Sequence, residues 1–200
     1  FLKTRNVSSF TNENQFAIED ISLITKIFLA DRNGNTITLK KTRSKWTVNN
    51  EFDVRNDAIS TLLSTANKIR IKKPVSKTAF EKVVKFIATT GVYIEFFENK
   101  KKVKAYFIGS NTPDHSGTYM LLSRQDRPFV THIPHFNGFL SPRYGIQSNA
   151  IDLRNWRSTT VFNLTSNSIS YLKYTNYINP ETSYSLETNP VKLINYKNQP

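Results

Sequence analysis

YFIGSNTPDHSGTYMLLSRQDRPFVTHI, residues 106–133, alternates strand-forming and turn-forming segments within 28 residues. Glycine, asparagine, proline and aspartate gather at 109–114, which predicts a turn, because glycine supplies positive φ and proline fixes φ. Apolar, β-branched and aromatic residues recur at Thr118–Leu122 and Phe129–Ile133, and the polar segment Arg124–Pro128 separates them. The stretch therefore predicts three antiparallel strands joined by a turn and a charged loop.

Two further hairpins are predicted on the N-terminal side of that stretch. The turn Asp31–Asn35 contains an Asn-Gly pair, which tolerates the positive φ that tight hairpin turns require. The second hairpin has an alternating strand at Val92–Phe97, a charged loop at Glu98–Lys102 and a returning strand at Val103–Ile108. The predicted strands on this side of the chain are 24–29, 37–39, 46–48, 92–97 and 103–108.

Between these hairpins, apolar residues recur at three- and four-residue spacing in 58–69 and in 80–87, which predicts two amphipathic helices. The predicted order is three strands, two helices and two pairs of strands. Because helices and strands are grouped instead of alternating one by one, we predict an α+β fold. Its architecture is an antiparallel sheet of hairpins with two helices on one face, followed by the start of a second, related unit.

The second unit is predicted from a repeat of the first hairpin. Residues Ile169–Leu186 align with Ile24–Leu39 at an offset of 145 residues before the turn and 147 after it. Similar spacing can also arise between two unrelated hairpins, so chance is the alternative. The predicted organisation is a tether at 1–15, a first α+β unit at 16–145, a connector at 146–160, and the beginning of a second, incomplete repeat unit at 161–200.

The start of the sequence predicts a membrane attachment. Phe1 and Leu2 resemble the end of an apolar segment, and Lys3 and Arg5 are of the kind that flank membrane segments. The polar stretch 6–15 is typical of a tether between an anchor and a folded domain. The alternative is that residue 1 only marks where the sequence starts. The sequence as it stands has no run of eighteen apolar residues and predicts no membrane-spanning helix.

The formal net charge of +13 is spread evenly, because Lys and Arg minus Asp and Glu gives +4, +3, +4 and +2 in successive blocks of fifty residues. Proteins that track phosphates concentrate charge on an arm, a helix or a groove, so the even spread disfavours nucleic acid as a partner. The favoured interpretation is solvated charge that keeps the protein soluble. The alternative is a polyanion-binding domain for nucleic acid, anionic glycan or lipid headgroups, with aromatic and basic residues interleaved on one sheet face. The residues that come closest to that pattern are Tyr93, Phe97, Lys102, Lys104 and Tyr106.

No catalytic, cofactor or metal site is predicted. The chain has no cysteine, which excludes disulfides and thiolate ligands. His132 and His135 are three residues apart around a proline, a spacing that directs the two rings to opposite faces of a strand more often than together. No serine occurs in a G-x-S-x-G elbow. We therefore expect a protein that is not an enzyme and that holds no cofactor.

The segment Pro134–Tyr144, PHFNGFLSPRY, is apolar yet interrupted by prolines, which predicts a turn or short helix with exposed aromatic side chains. Aromatic residues and arginine are favoured at the centres of protein interfaces. The alternative is that these side chains pack against the strands of residues 106–133. The predicted interaction surface consists of Phe136, Phe139, Arg143 and Tyr144.

Five segments occur in the order ITKIFLADRNGNTITL, KWTVNN, KIRIKKPVSKTAFEKV, YFIGSNTPDHSGTYMLL and PFVTHIPHFNGFLSPRY. Together they resemble the domain-of-unknown-function family 4340 over about residues 16–190. The resemblance implies an envelope protein of a Gram-negative bacterium, with an N-terminal membrane anchor or lipoprotein signal and two related α+β units. It implies no catalytic residues, because none is established for the family. It also implies a link to transport, since some relatives are encoded fused to, or beside, auxiliary parts of gliding-type ABC exporters.

Together, the residues and the resemblance predict a non-catalytic, envelope-anchored binding or scaffold module that faces the periplasm and is a component of a membrane protein assembly. The expected partners are other envelope proteins, including proteins of the inner or outer membrane, and the membrane itself through the N-terminal anchor. The alternatives are the polyanion-binding domain and an auxiliary subunit of a gliding-type ABC transport system. The sequence leaves the oligomeric state open.

Overall fold

The computed structural model describes residues 12–160, 162, 164–188 and 190–195. The chain divides into two compact units, Phe1–Ser158 and Thr159–Pro200, and each is described by itself. In the described part of the chain, no helix has both the length and the apolar composition needed to cross a membrane.

In its described residues, the first unit combines two α-helices with eleven strands. The helices are α1 (Asn56–Lys68) and α2 (Lys77–Thr90). The strands are β1 (Lys26–Ala30), β2 (Thr36–Lys41), β3 (Trp46–Val48), β4 (Phe52–Asp53), β5 (Arg70–Pro74), β6 (Val92–Glu98), β7 (Lys101–Asn111), β8 (Thr118–Leu122), β9 (Phe129–His132), β10 (Ile146–Gln147) and β11 (Ala150–Ile151).

Nine of these strands form one antiparallel sheet in the order β4-β3-β2-β1-β6-β7-β8-β9-β5. β7 is the longest strand and lies between β6 and β8, where Ile108 pairs with Val92 on one side and with Met120 on the other. β10 and β11 pair separately as a short ladder. Two helices combined with a large antiparallel sheet confirm the predicted α+β fold class.

The two helices pack on opposite faces of this sheet, so the prediction that both lie on one face is wrong. Successive side chains of a strand point to opposite faces, and β7 therefore directs Tyr106 and Phe107 in opposite directions. Tyr106 belongs to the main core cluster, which contains Leu62 of α1. Phe107 packs with a second cluster, which contains Ile87 of α2. The uninterrupted apolar run Ala105–Ile108 accords with a strand that is covered on both faces.

Strand β5 is absent from the sequence prediction because it lacks an alternating apolar pattern. Ile71 is its only buried residue, and the lysines that follow it are exposed. β5 lies at the edge of the sheet and pairs with β9, which is far along the chain, through Ile71 and Thr131. The strand is therefore defined by its partner and not by its own sequence.

Residues 146–158 are part of the first unit, although the sequence predicts a connector at 146–160. The side chains of Ile146, Ile151 and Trp156 are buried in its core. Apolar residues on two-residue strands and short 3-10 turns show neither a helical nor a strand period. Packing alone identifies this segment as part of the core.

The predicted tether at 1–15, whose first eleven residues lie outside the described part of the chain, ends in residues that pack on the first unit. The carbonyl of Glu13 accepts a hydrogen bond from the N–H of Ile71 at 2.9 Å. The carbonyl of Gln15 accepts one from the ammonium group of Lys104 at 2.7 Å. The last residues of the predicted tether are thus held by the sheet.

The second unit contains, in its described residues, a three-stranded antiparallel sheet of β12 (Tyr171–Tyr174), β13 (Tyr184–Thr188) and β14 (Val191–Asn195). Its first hairpin has the register that the repeat alignment predicts. Leu172 pairs with Leu186 across β12 and β13. Their aligned counterparts, Ile27 and Leu39, pair across β1 and β2 in the first unit.

The turns of the two hairpins are also built alike. Oδ1 of Asp31 accepts hydrogen bonds from the N–H groups two and four residues further on, at 2.9 and 3.0 Å. Asn176, which aligns with Asp31, accepts from the N–H groups two and three residues further on, both at 3.0 Å. Such contacts between a short polar side chain and its own backbone stabilise turns. The two hairpins therefore share both strand register and turn chemistry.

Candidate interaction surface

The predicted interaction surface is divided between exposed and buried positions. Phe136 is 36% exposed, whereas Phe139 and Arg143 are partly buried. Tyr144 is fully buried, so its prediction as an interaction residue is wrong. It ends the 3-10 turn Ser141–Tyr144, which packs against β7. The four residues do not form one open face.

Tyr144 is buried because both its ring and its hydroxyl group find partners in the core. Its ring lies edge-on to the ring of Tyr106, with centroids 6.1 Å apart, and the two hydroxyl oxygens are 2.9 Å apart. Burial raises the pKa of both phenols, since a buried phenolate would lose its hydration. The pair links β7 to the segment that follows β9.

Arg143 joins the same segment to helix α1. Its Nε donates a hydrogen bond to Oγ1 of Thr65 at 2.7 Å, and its guanidinium carbon lies 4.9 Å from the centre of the Phe136 ring. The hydroxyl of Thr65, a buried residue of α1, donates in turn to the carbonyl of Thr61 at 2.7 Å. Arg143 is therefore engaged within the fold, and Phe136 packs on its outer side.

The remaining member of the predicted surface packs against the loop before β8. The ring of Phe139 lies 5.2 Å from the imidazole of His115. Next to it, the N–H of Leu140 donates to Oγ1 of Thr118 at 3.1 Å. Both contacts agree with the alternative interpretation of Pro134–Tyr144, in which its side chains pack against the strands of residues 106–133.

The aromatic and basic residues of the polyanion alternative do not share one face of the sheet. The hydroxyl of Tyr93 donates to Glu95 at 2.8 Å, and the ammonium group of Lys102 donates to the same carboxylate oxygen at 2.7 Å. Tyr106 is fully buried in the main core, and Lys104, two residues before it on β7, points to the same side. The interleaved face that this alternative requires is not formed by these residues.

A more extensive exposed apolar surface lies on the sheet of the second unit. Residues that pair across antiparallel strands share a face, and Leu186 pairs with Leu172 on one side and Leu193 on the other. Tyr174 and Tyr184 also pair, with ring centroids 5.3 Å apart. We call this surface the apolar face. It consists of Leu172, Tyr174, Tyr184, Leu186, Val191 and Leu193.

Most of the apolar face is open to solvent. The exposed fractions of its side chains run from 39% at Leu172 to 79% at Val191, and Leu186 is partly buried. The opposite face of the same sheet carries the exposed polar residues Lys173, Glu187 and Lys192, with Ser185, Tyr171 and Ile194 beside them. The more apolar of the two faces is therefore uncovered in the described residues.

The corresponding face of the first unit is its core. Ile27 and Leu39, the counterparts of Leu172 and Leu186, are fully buried. The sequence prediction aligned the two hairpins without predicting this surface. That alignment was enough to predict the surface, because a strand whose aligned counterpart is a core strand should also have an apolar side to bury.

The acidic and histidine side chains in the described part of the chain do not gather into a group that could bind a metal ion. Hydrogen bonds from Thr112 and Ser116 lower the pKa of Asp114 in the loop before β8. Among residues 12–160, 162, 164–188 and 190–195, no group of three or more His, Cys, Asp or Glu side chains is placed to hold a metal ion.

Comparison with known proteins gives one family. A family model described as Domain of unknown function (DUF4340) matches residues 46–199, more than three quarters of the chain. The match begins at β3 and extends past β14, so it includes residues of both units. The family resemblance seen in the sequence is confirmed over this range. No curated protein and no solved structure matches the chain.

Proposed function

We propose that this chain, which belongs to the DUF4340 family of domains of unknown function, is a non-catalytic binding or scaffold module in a membrane protein assembly of the cell envelope. The observation that carries the proposal is the apolar face of the second unit. It is the surface through which the chain binds another protein.

Physical chemistry supports an interface at the apolar face. Apolar surface that leaves water contributes about 25 cal/mol per Å² to association. Scattered exposed apolar residues are ordinary, whereas a contiguous patch marks an interaction site. The paired rings of Tyr174 and Tyr184 supply rigid contact area, which loses little side-chain entropy on binding. Leu172 and Leu193 extend the patch along the neighbouring pairs.

The side chains of the apolar face indicate what kind of surface its partner has. Its side chains are uncharged, so recognition there depends on shape and apolar contact instead of ion pairs. The partner is a protein with a complementary apolar surface. Its location in the envelope, and the attachment of this chain to the membrane, are supported by the sequence resemblance to an envelope family. Recovery of the full-length protein from cells in the soluble fraction, without detergent, would contradict this location.

The decisive experiment is photo-crosslinking in the native cell. A benzophenone amino acid replaces Tyr174 on the apolar face, or Tyr171 on the opposite face of the same strand, and cross-linked products are identified by mass spectrometry. The two positions are similarly exposed, at 44% and 54%, which makes the second a matched control. We expect a discrete product with a membrane-fraction protein from position 174 and none from position 171.

Three outcomes would reject the proposal. The first is that neither position gives a product, and the second is that both positions give the same products. The third is a product between the apolar face and another part of the same polypeptide. That result would show that the face is covered within the protein and is not a binding surface.

A further inference from the structure

Strand β7 is longer than its neighbour β8, and the difference leaves part of its edge unpaired. The last register pair between the two strands joins Tyr106 to Leu122, yet β7 extends back to Lys101. Just beyond this pair, the N–H of Ser123 donates to the carbonyl of Ala105 at 3.1 Å. Among the described strands, none pairs with the rest of β7 on this side. The edge is available to another extended chain.

A groove of about 440 Å³ runs along this free edge. Its apolar lining comes from Val103 and Ala105 on β7 and from Leu122 at the end of β8. Ala105 is buried, and the other two side chains are partly buried against the main core. The groove therefore has an apolar floor that belongs to the sheet itself.

The walls of the groove carry three cationic side chains. The ammonium group of Lys102 is bound to a carboxylate oxygen of Glu95 at 2.7 Å. Lys104 donates to the neutral carbonyl of Gln15 at 2.7 Å, and burial lowers its pKa. Within the described residues, neither Lys104 nor Arg124 has a carboxylate within 4.0 Å. Neither side chain therefore forms an ion pair, although the carboxylate of Glu19 exerts an electrostatic attraction on Lys104.

We propose that this groove binds an extended peptide segment with acidic side chains, which adds as a strand to the free edge of β7. The unpaired backbone edge suits strand addition, in which main-chain hydrogen bonds supply affinity and alternate side chains supply specificity. Leu122 pairs with Tyr106 and therefore lies on the same face of the sheet as Lys104, so one set of alternate side chains meets both an apolar surface and positive charge there. Acidic groups in this set complement the charge of Lys104 and Arg124. This site is separate from the apolar face and does not depend on it.

Fluorescence anisotropy with the purified chain tests the proposal. The probe is a fluorescein-labelled, eight-residue peptide of alternating Glu and Val. One companion peptide alternates Lys and Val, and a second is the Glu-Val peptide with two central prolines, which remove backbone N–H groups and prevent strand addition. We expect the Glu-Val peptide to bind at least tenfold more tightly than either companion.

Two charge reversals in the same loop provide matched variants. Arg124→Glu changes the groove, whereas Arg127→Glu changes an equally charged, exposed residue that does not line it. We expect Arg124→Glu to weaken binding of the Glu-Val peptide at least tenfold, and Arg127→Glu to change it less than twofold. Circular dichroism and melting of both variants confirm that the fold is retained.

Several results would overturn the proposal. Equal binding of the proline-containing peptide would show anion binding without strand addition, and equal losses in both variants would show attraction to overall charge. Absence of peptide binding, together with Arg124-dependent binding to vesicles of phosphatidylglycerol and phosphatidylcholine, would assign the groove to a lipid headgroup. Absence of peptide binding, together with self-association of a Lys102→Ala variant, would assign the lysines to protection of an exposed edge.

Discussion

The hydroxyl oxygens of Tyr106 and Tyr144 lie 2.9 Å apart, and both side chains are fully buried. A hydroxyl group carries one proton to donate, so in this contact one phenol donates and the other accepts. The contact connects a strand near the middle of the sheet to the 3-10 turn that the sequence assigns to the surface. Removing either oxygen leaves the other without this partner inside the core.

Replacement of both phenols should therefore cost less than the sum of the two single replacements. We expect Tyr144→Phe or Tyr106→Phe alone to lower the free energy of unfolding by about 1–3 kcal/mol, because each leaves a buried hydroxyl unpaired. The double variant should lose less than the sum of the two single losses. Urea denaturation of the four proteins measures the difference, and strictly additive losses would contradict the pairing.

The same pair predicts a loss of stability in alkali. The pKa of both phenols is raised by burial, so their contribution is fully present below the pKa of an unfolded tyrosine, about 10. It is lost as the pH rises above that value toward the folded pKa values. We expect the free energy of unfolding to fall above about pH 10, and to fall less in the Tyr106→Phe, Tyr144→Phe double variant. Parallel pH curves for the two proteins would reject this assignment.

The carboxyl group of Asp31 should give the folding stability the opposite pH dependence, with a loss in acid. Burial alone would raise the pKa of this carboxyl group. Hydrogen bonds from Asn35, from the N–H of Ile151 and from the N–H of Asn33 outweigh burial and lower the pKa. The stability that these bonds supply is present above the unfolded pKa of about 3.9 and is lost as the pH falls below it toward the folded value.

The Asp31→Asn variant tests this account. Its amide can still accept from the turn, as Asn176 does, but it places an NH₂ group where the carboxylate accepts from the N–H of Ile151. We expect a loss of about 1–3 kcal/mol at neutral pH that shrinks as the carboxyl group of the unmodified protein is protonated. Asp126→Asn, at an exposed position, is the control. A loss that stays constant down to about pH 2 would contradict the role of the charge.

Replacement of Gly145 by alanine should create a steric clash that the same replacement at Gly34 does not. Both glycines have positive φ, 67° and 87°, which is unfavourable for any residue with a Cβ. A Cβ at Gly145 would lie 2.6 Å from the buried ring of Trp156, whereas one at Gly34 meets nothing within 4 Å. We expect Gly145→Ala to lower stability by about 1–3 kcal/mol more than Gly34→Ala, the usual effect of overpacking. Equal thermal shifts in the two variants would mean that Trp156 moves away at little cost.

The sequence by itself determined the local elements of this protein. The Asn-Gly turn at Asp31–Asn35, the amphipathic stretches at 58–69 and 80–87, and the hairpin from Val92 to Ile108 all form where the patterns predict them. The register of the hairpin at 171–188 also follows from its alignment with the first. Each of these features depends on residues a few positions apart, so backbone preference and apolar period are enough to specify it.

Only the tertiary structure decided which of these surfaces are covered. Sequence period shows that α2 has an apolar side, but not that this side meets Phe107 on the face of β7 opposite to α1. Likewise, nothing local separates Tyr144, buried against a tyrosine 38 residues away, from the exposed tyrosines of the apolar face. Burial depends on contacts between distant parts of the chain, and those contacts follow from topology. The candidate binding surfaces are therefore the features that local sequence patterns could least predict.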